Sequence, residues 1–205
     1  NGTDSFTYKA NDGTSDSNIV QVDINVTAVN DPPGIFIYSE HPEVWVMHED
    51  TIGDLRYGAL QFWDVDAGSE LVQTTMTATN GTVTLASLQG LDFDEGDGTD
   101  DAFMVFTSTI AALNHATAYM DGANEVVSHF YLPLDFYGES TLTITINDLG
   151  HTPAPAEETT GIVTIPVVPV NDAPAGTNKT VTMEEDTVYA FAAGDFGFTD
   201  PKDTP

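Results

Sequence analysis

Short acidic clusters that recur along the chain are the residues with the most chemistry to offer. Asn11-Asp12, Asn30-Asp31, Glu49-Asp50, Asp64-Val65-Asp66 and Asn147-Asp148 each sit at the end of an alternating apolar stretch or in a connection, beside Gly or Pro, and Asn171-Asp172 repeats the second of them. Asp64 and Asp66 are two residues apart, so in an extended segment their side chains share a face. Two carboxylates with carbonyl oxygens from a nearby connection suit a hard divalent cation, above all calcium with its roughly six to eight oxygen ligands. Asp and Asn are also ordinary turn formers, and for a single cluster the two readings are level. Their repetition around each Asn-Asp connection favours metal.

The chain has 205 residues, with 33 Asp plus Glu against 4 Lys plus Arg, a net charge of -29. Such a surface repels phosphate and anionic lipid, which excludes nucleic-acid binding through a basic groove. The charge asks for compensation, either by bound divalent cation or by a saline medium that screens it. Hydrophobic residues make up 40% of the chain, enough for a core and too many for an acidic disordered tail. With no cysteine, disulfides, thiolate chemistry and Cys-based zinc sites fall away. The histidines are scattered, without metal-ligand spacing. No apolar run approaches the ~20 residues of a membrane helix, so no membrane insertion is expected in this segment. The opening Asn1-Gly2-Thr3-Asp4 lacks a signal-peptide pattern and reads as mid-pattern, as in a piece of a longer polypeptide.

Catalysis is not expected. Paired carboxylates could serve glycoside hydrolysis, but these pairs recur and sit at connections. No nucleophile elbow, zinc-hydrolase signature or phosphate loop occurs. Leu91-Asp92-Phe93-Asp94-Glu95-Gly96-Asp97 lacks the spacing and closing Glu of an EF-hand loop and reads as a solvated hairpin turn, with a third metal site as the alternative. Trp45 and Trp63 read as core or junction residues, with a sugar platform as the alternative.

The elements that must position these clusters are strands. Phe6–Ala10, Ile19–Thr27, Leu71–Ala78, Thr82–Ala86, Phe103–Phe106, Val126–Leu132, Leu142–Ile146 and Ile162–Val170 show strand-like alternation or β-branched enrichment. Asn80-Gly81 is the strongest hairpin signal. Thr109 through Ala116 breaks the period: Ile110, Leu113 and Thr117 share a helical face, and Thr109 caps a two-turn helix over about residues 110–117.

The pattern also repeats. Gly2, Asn11 and Asp12 recur 136 residues on as Gly138, Asn147 and Asp148; Met47, Glu49, Asp50 and Thr51 as Met183, Glu185, Asp186 and Thr187; Phe62 and Asp64 as Phe198 and Asp200. Val29-Asn30-Asp31-Pro32 recurs as Val170-Asn171-Asp172-Ala173-Pro174 at an offset of 141, the slip being an insertion of five residues after Gly150. Self-similarity at a fixed period marks a tandem array. Residues 1–33 are then the last strands of one repeat, 34–173 a complete repeat, and 174–205 the opening of a third.

Several motifs carry a resemblance. Phe6-Thr7-Tyr8, Asn11-Asp12-Gly13 and Val29-Asn30-Asp31-Pro32, with Glu49-Asp50-Thr51, Asp64-Val65-Asp66-Ala67-Gly68-Ser69, Thr79 through Leu85, Gly96 through Ala102, Ile110 through Asn114, and Phe136-Tyr137-Gly138 before Ile146 through Gly150, resemble tandem cadherin-like repeats of giant bacterial surface proteins, the RTX-type adhesins and VCBS-type proteins. Asp195 through Asp200 is similar to the opening of a sister repeat. The resemblance implies an all-β fold of Ig-like Greek-key sandwiches in tandem, with calcium at each junction. It implies Asp12, Asn30, Asp31, Glu49, Asp64 and Asp66 as ligands of a first junction, and Asp148, Asn171, Asp172, Glu185 and Asp200 of a second. Lys202 stands where Asp66 has its counterpart, with Asp203 beside it as a substitute ligand, so the second site is expected to be weaker.

The function so implied is a calcium-stiffened structural spacer of a long extracellular surface protein, an adhesin, at the cell surface or secreted, whose partners are adjacent repeats of the same polypeptide. Two alternatives stay open: a repeat or subunit of an extracellular filament, with neighbouring copies as partners, and a carbohydrate-binding module of a secreted enzyme, with surface glycans as partners. Four Asn-x-Thr sequons, at Asn1, Asn25, Asn80 and Asn178, matter only in a eukaryotic secretory protein.

Overall fold

The computed structural model describes residues 1–38, 45–56, 58–150 and 155–199. The chain is all-β. Its strands are β1 (Gly2–Tyr8), β2 (Val20–Val26), β3 (Gly34–Ile37), β4 (Met47–His48), β5 (Ile52–Leu55), β6 (Leu60–Trp63), β7 (Leu71–Thr79), β8 (Thr82–Thr84), β9 (Asp92–Glu95), β10 (Phe103–Thr109), β11 (Ala118–Asp121), β12 (Asn124–Tyr131), β13 (Gly138–Asn147), β14 (Glu158–Val168), β15 (Ala175–Thr177) and β16 (Gly197–Thr199). Among the described residues there is one α-helix, α1 (Ile110–Thr117), at the expected place.

Residues 34–168 form the folded core. A six-stranded sheet runs β4-β14-β13-β7-β10-β9. Its pairs are antiparallel except the first, where Met47 and Val167 meet in parallel. Opposite it, β12 pairs with β5, β11 and β8. The short β3–β6 ribbon lies against β14, with the side chains of Ile35 and Ile37 over Gly161. Alternation sorts each strand: Val72, Met76, Leu142, Ile144, Ile146, Val163 and Ile165 are buried with Met104, Phe106, Leu55, Val83 and Phe130 in one cluster, while threonines occupy the other face of β7 and β13. Phe93 of β9 tilts against Phe106, ring centroids 5.2 Å apart.

Thr109 caps α1 by accepting from Ala112 N–H at 3.1 Å. The helix carries the chain from β10 to β11. Asn114 pins it to β6, accepting from Phe62 N–H at 3.0 Å and donating to Phe62 C=O at 2.8 Å. Leu113 and Ala116 enter the core.

Two local expectations need correction. Asn80-Gly81 does not join a hairpin. Both edges of β7 are already taken by β10 and β13, so β8 crosses to pair with β12. Asn80 has φ of 51°, and the turn passes so close to Phe130 that a Cβ on Gly81 would lie 2.4 Å from the ring. The acidic stretch 91–97 is not a solvated turn. Asp92–Glu95 is the edge strand β9, with a register shift opposite Val105/Phe106, and its carboxylates discourage further pairing at that edge.

The flanking segments reproduce parts of this unit. Gly2 pairs with Val26 and Tyr8 with Val20. Moved by 136 for the first partner and 141 for the second, these become the observed pairs Gly138 with Val167 and Ile144 with Gly161. The same shifts turn Gly34–Trp63 into Ala175–Thr199. Asp50 and Asp186 share a left-handed backbone, φ of 59° and 62°, and the Thr51 and Thr187 hydroxyls each donate to the carbonyl three residues back.

Candidate metal sites at the two poles

Strand direction divides the acidic clusters between two poles of the unit. At the N-terminal pole the 27–33 connection enters, β6 ends, and the 148–157 connection joins β13 to β14. At the C-terminal pole β14 ends at Val168, beside the turn after β4 and the connection from β12 to β13. The eleven residues of β14 hold the poles ~33 Å apart at about 3.3 Å per residue.

At the N-terminal pole Asn30 is buried, and its amide donates to Asp148 Oδ2 and, at 3.3 Å, to Pro155 C=O. Asp148 is also buried; its Oδ1 accepts from Gly150 N–H at 2.9 Å and Glu157 N–H at 2.8 Å. These bonds make Asp148 a clasp on its own connection. Asp31 N–H donates to Asp66 Oδ2 at 2.7 Å, tying the incoming connection to the 64–70 turn. Asp64 Oδ1 accepts from Asp66 N–H at 2.8 Å and Ala67 N–H at 2.9 Å. Asp64 Oδ2 is buried with no hydrogen-bond partner. A buried carboxylate oxygen without compensation is costly, and a cation ligated there would remove the cost. Among the described residues, however, the carboxylate oxygens of Asp31, Asp64 and Asp66 do not gather as a trio; the one such trio lies at the other pole. Trp63, half-exposed, lies so close over Gly34 that a Cβ there would fall within 2.1 Å of its ring.

At the C-terminal pole buried Glu49 accepts from Val170 N–H through Oε1, and its own N–H donates to Val168 C=O at 3.1 Å. The neighbouring Asp50 accepts from Asp135 N–H at 3.0 Å. One carboxylate oxygen from each of Asp50, Asp135 and Asp172 lies within 4.8 Å of the other two. All are oxygen donors, the set that hard cations prefer over zinc. Asn171 turns its amide to Asp172 C=O at 2.8 Å. The sequence reading named Glu49, Asn171 and Asp172 but missed Asp135, which directly precedes the Phe136-Tyr137-Gly138 motif; Asp50 it recognised only as part of a cluster.

The expected ligand groups are therefore redistributed. Glu49 does not join Asp64, because β4 runs parallel to β14 and delivers it to the far pole. Asp148 meets Asn30 and not Asp172, because β13 ends at the N-terminal pole. Asp12 lies in the loop beyond Tyr8 and Val20, while the 27–33 connection leaves from Val26; the six intervening steps of β2 span ~20 Å. There Asp12 Oδ1 accepts from Thr14 and Ser15 N–H, both at 2.8 Å, and these bonds hold its carboxyl below the ordinary value. Glu185 lies in the exposed 178–192 stretch. Asp200 and Asp203, with Lys202, lie outside the described residues.

Trp45 is a core residue whose indole N–H donates to Tyr38 C=O at 2.8 Å. The described residues include no helix long and apolar enough to cross a membrane. No protein-family model matches the chain, and no curated protein is measurably similar to it.

Proposed function

We propose that the chain consists of cadherin-like, Ig-like sandwich units in tandem and serves as a calcium-stiffened spacer in a long extracellular surface protein, an adhesin. The observation that carries this reading is the recurrence of one ladder: the β1–β2 register becomes the β13–β14 register under the offsets read from the sequence. Repetition of a unit with acidic poles suits a rod better than a catalyst, and we assign the chain no catalytic activity. Adjacent units of the same polypeptide are the partners.

In this reading Asp64 takes calcium at the N-terminal pole through its unpaired oxygen, with Asp66 and Asp31 drawn in by the ion. Asp50, Asp135 and Asp172, beside Glu49, hold it at the C-terminal pole. The ion offsets the repulsion of the gathered carboxylates and fixes the angle at which the next unit leaves. Magnesium, which demands tighter octahedral geometry and keeps its water, substitutes poorly. At a hundredfold excess of calcium over its dissociation constant, linkage adds ~3 kcal/mol of stability per ordered site.

The test is calorimetric titration of the full chain with calcium and, separately, magnesium. Calcium-specific heats that Asp64→Asn and Asp172→Asn each reduce are expected. No binding, or binding that neither variant alters, would remove calcium from the reading.

A further inference from the structure

The central unit has an open seam between β4 and β5. Among the described residues β4 pairs only with β14, and β5 only with β12, so each is the last strand of its sheet on that side. The 49–51 turn joins them, and between them runs a cleft of about 410 Å³, within the range of ligand sites. Every residue from Ile52 through Arg56 lines it. Gly53 and Leu55 face the core while Ile52 and Asp54 face out, so the cleft touches both sets by running along the free edge of β5. Its floor is apolar, made by Trp45, Met47, Leu55, Phe130 and Ile165. The Met47 sulfur rests on Gly53, where a Cβ would otherwise stand, and a flexible thioether is a wall that repacks around what enters.

The edges of the sandwich are guarded unequally. β9, the last strand at the far side of the six-stranded sheet, carries Asp92, Asp94 and Glu95, which discourage an added strand. β5 carries one carboxylate, Asp54, and His129 lies 3.1 Å from it. Just past Leu55 stands Arg56, the only arginine of the chain and its one cation between Lys9 and Lys179. Lys9 is paired with Asp16, and Lys179 donates to Gly194 C=O. The Arg56 side chain has no hydrogen-bond or ion-pair partner among the described residues. In a chain with 33 Asp plus Glu, this guanidinium is left free for a carboxylate from outside. The acidic Glu49-Asp50 turn is at the other end of β5, ~17 Å along it, beyond a Debye length of about 8 Å in physiological salt.

We propose that an extended peptide segment of a partner protein adds to the free edge of β5, sets alternate apolar side chains into the cleft, and places a carboxylate on Arg56. Ladder bonds to β5 supply the affinity, and the cleft selects the side chains. The four residues of β5 with Arg56 match a segment of about five residues. This site lies within the central unit and depends on neither calcium nor the tandem arrangement.

The experiment is an NMR titration of the full chain with acetylated, amidated pentapeptides. Thr-Val-Thr-Val-Glu brings its carboxylate to Arg56 in a parallel addition, Glu-Val-Thr-Val-Thr in an antiparallel one, and each has a Gln counterpart. One of the two Glu peptides should shift the amides of Ile52–Leu55, Met47 and His48, and its Gln counterpart should bind about two- to fivefold more weakly. Arg56→Gln, at an exposed position, should bring both forms to the weaker value. N-methylation of alternate peptide amides separates backbone pairing from side-chain contact: methylating the set that faces β5 should abolish binding, and methylating the other set should not. Absence of these shifts with both Glu peptides at millimolar concentration overturns the proposal. So do shifts centred on β9, an equal response to the Glu and Gln forms, or binding that survives methylation of either set.

Discussion

At Asp64 one carboxylate oxygen receives two backbone N–H groups while the other, buried, receives none. Replacing Asp64 by Asn should therefore act in opposite directions with and without metal. In chelator it should raise the melting temperature only slightly, because the charge of a half-buried carboxylate disappears while the new amide nitrogen takes the same unpaired place. In calcium it should weaken binding, on the order of tenfold for the loss of one charged ligand. Glu49→Gln, at the other pole, should leave the site at Asp64 unchanged. Calorimetry of the two variants side by side checks this. Gly81→Ala should destabilise by about 1–3 kcal/mol in urea unfolding through overpacking, since the new Cβ would meet the Phe130 ring at 2.4 Å and Tyr131 C=O at 2.7 Å. Asp195 supplies a pH dependence. Ala192 N–H, and after it the Tyr189 hydroxyl, hold its carboxyl below the ordinary 3.8, while Tyr189 is raised above 10.0. A depressed carboxyl contributes stability above its unfolded value and loses it as pH falls through the folded one. The 192–195 turn should hold at neutral pH and open below about pH 3.8, followed by amide exchange at Ala192.

Elements with a strong local signature were legible in the sequence, and elements defined by their partners were not. α1 announced itself through Thr109, the alanines and the Ile110–Leu113 spacing, and the structure has it there with that cap. Thr109→Ala should cost about 1 kcal/mol, measured by chemical unfolding. The long strands β7, β13 and β14 were visible because one face is apolar over many residues. β3, β5 and β6 are four residues each, too short for alternation to stand out, and tertiary packing makes them strands. Asn80-Gly81 misled because turn chemistry reports that the chain reverses, not which strand it pairs with afterwards; the neighbours of β7 decided that.

For the whole molecule, the same limit governed the candidate sites. Neighbours across a connection, Asp31 and Asp66 among them, could be grouped by motif. Glu49, Asp12 and Asp148 could not, because which pole a strand reaches depends on its direction in the sheet. Asp135 joins Asp50 and Asp172 only through the course of β12 into β13, for which sequence spacing has no signal. Under the proposed function, chelation should first loosen the angle between units and then lower the melting temperature. Small-angle scattering and calorimetry on one sample should show the change in dimension at a lower chelator concentration than the change in stability.

The arrangement of β14 has a mechanical consequence. Polypeptide enters the unit at one pole and leaves at the other, so tension along the chain pulls β14 along its own axis. That strand is joined to β13 over ten residue pairs and to β4 in parallel. Force in this direction loads the ladder bonds in shear, all together, whereas force across the sheet would peel them one pair at a time. Single-molecule stretching with handles at Asn30 and Val170 should give a higher rupture force than handles at Asn80 and Val170, which both lie at the C-terminal pole. In the first geometry the unit would reach the strength of its longest ladder before it opened.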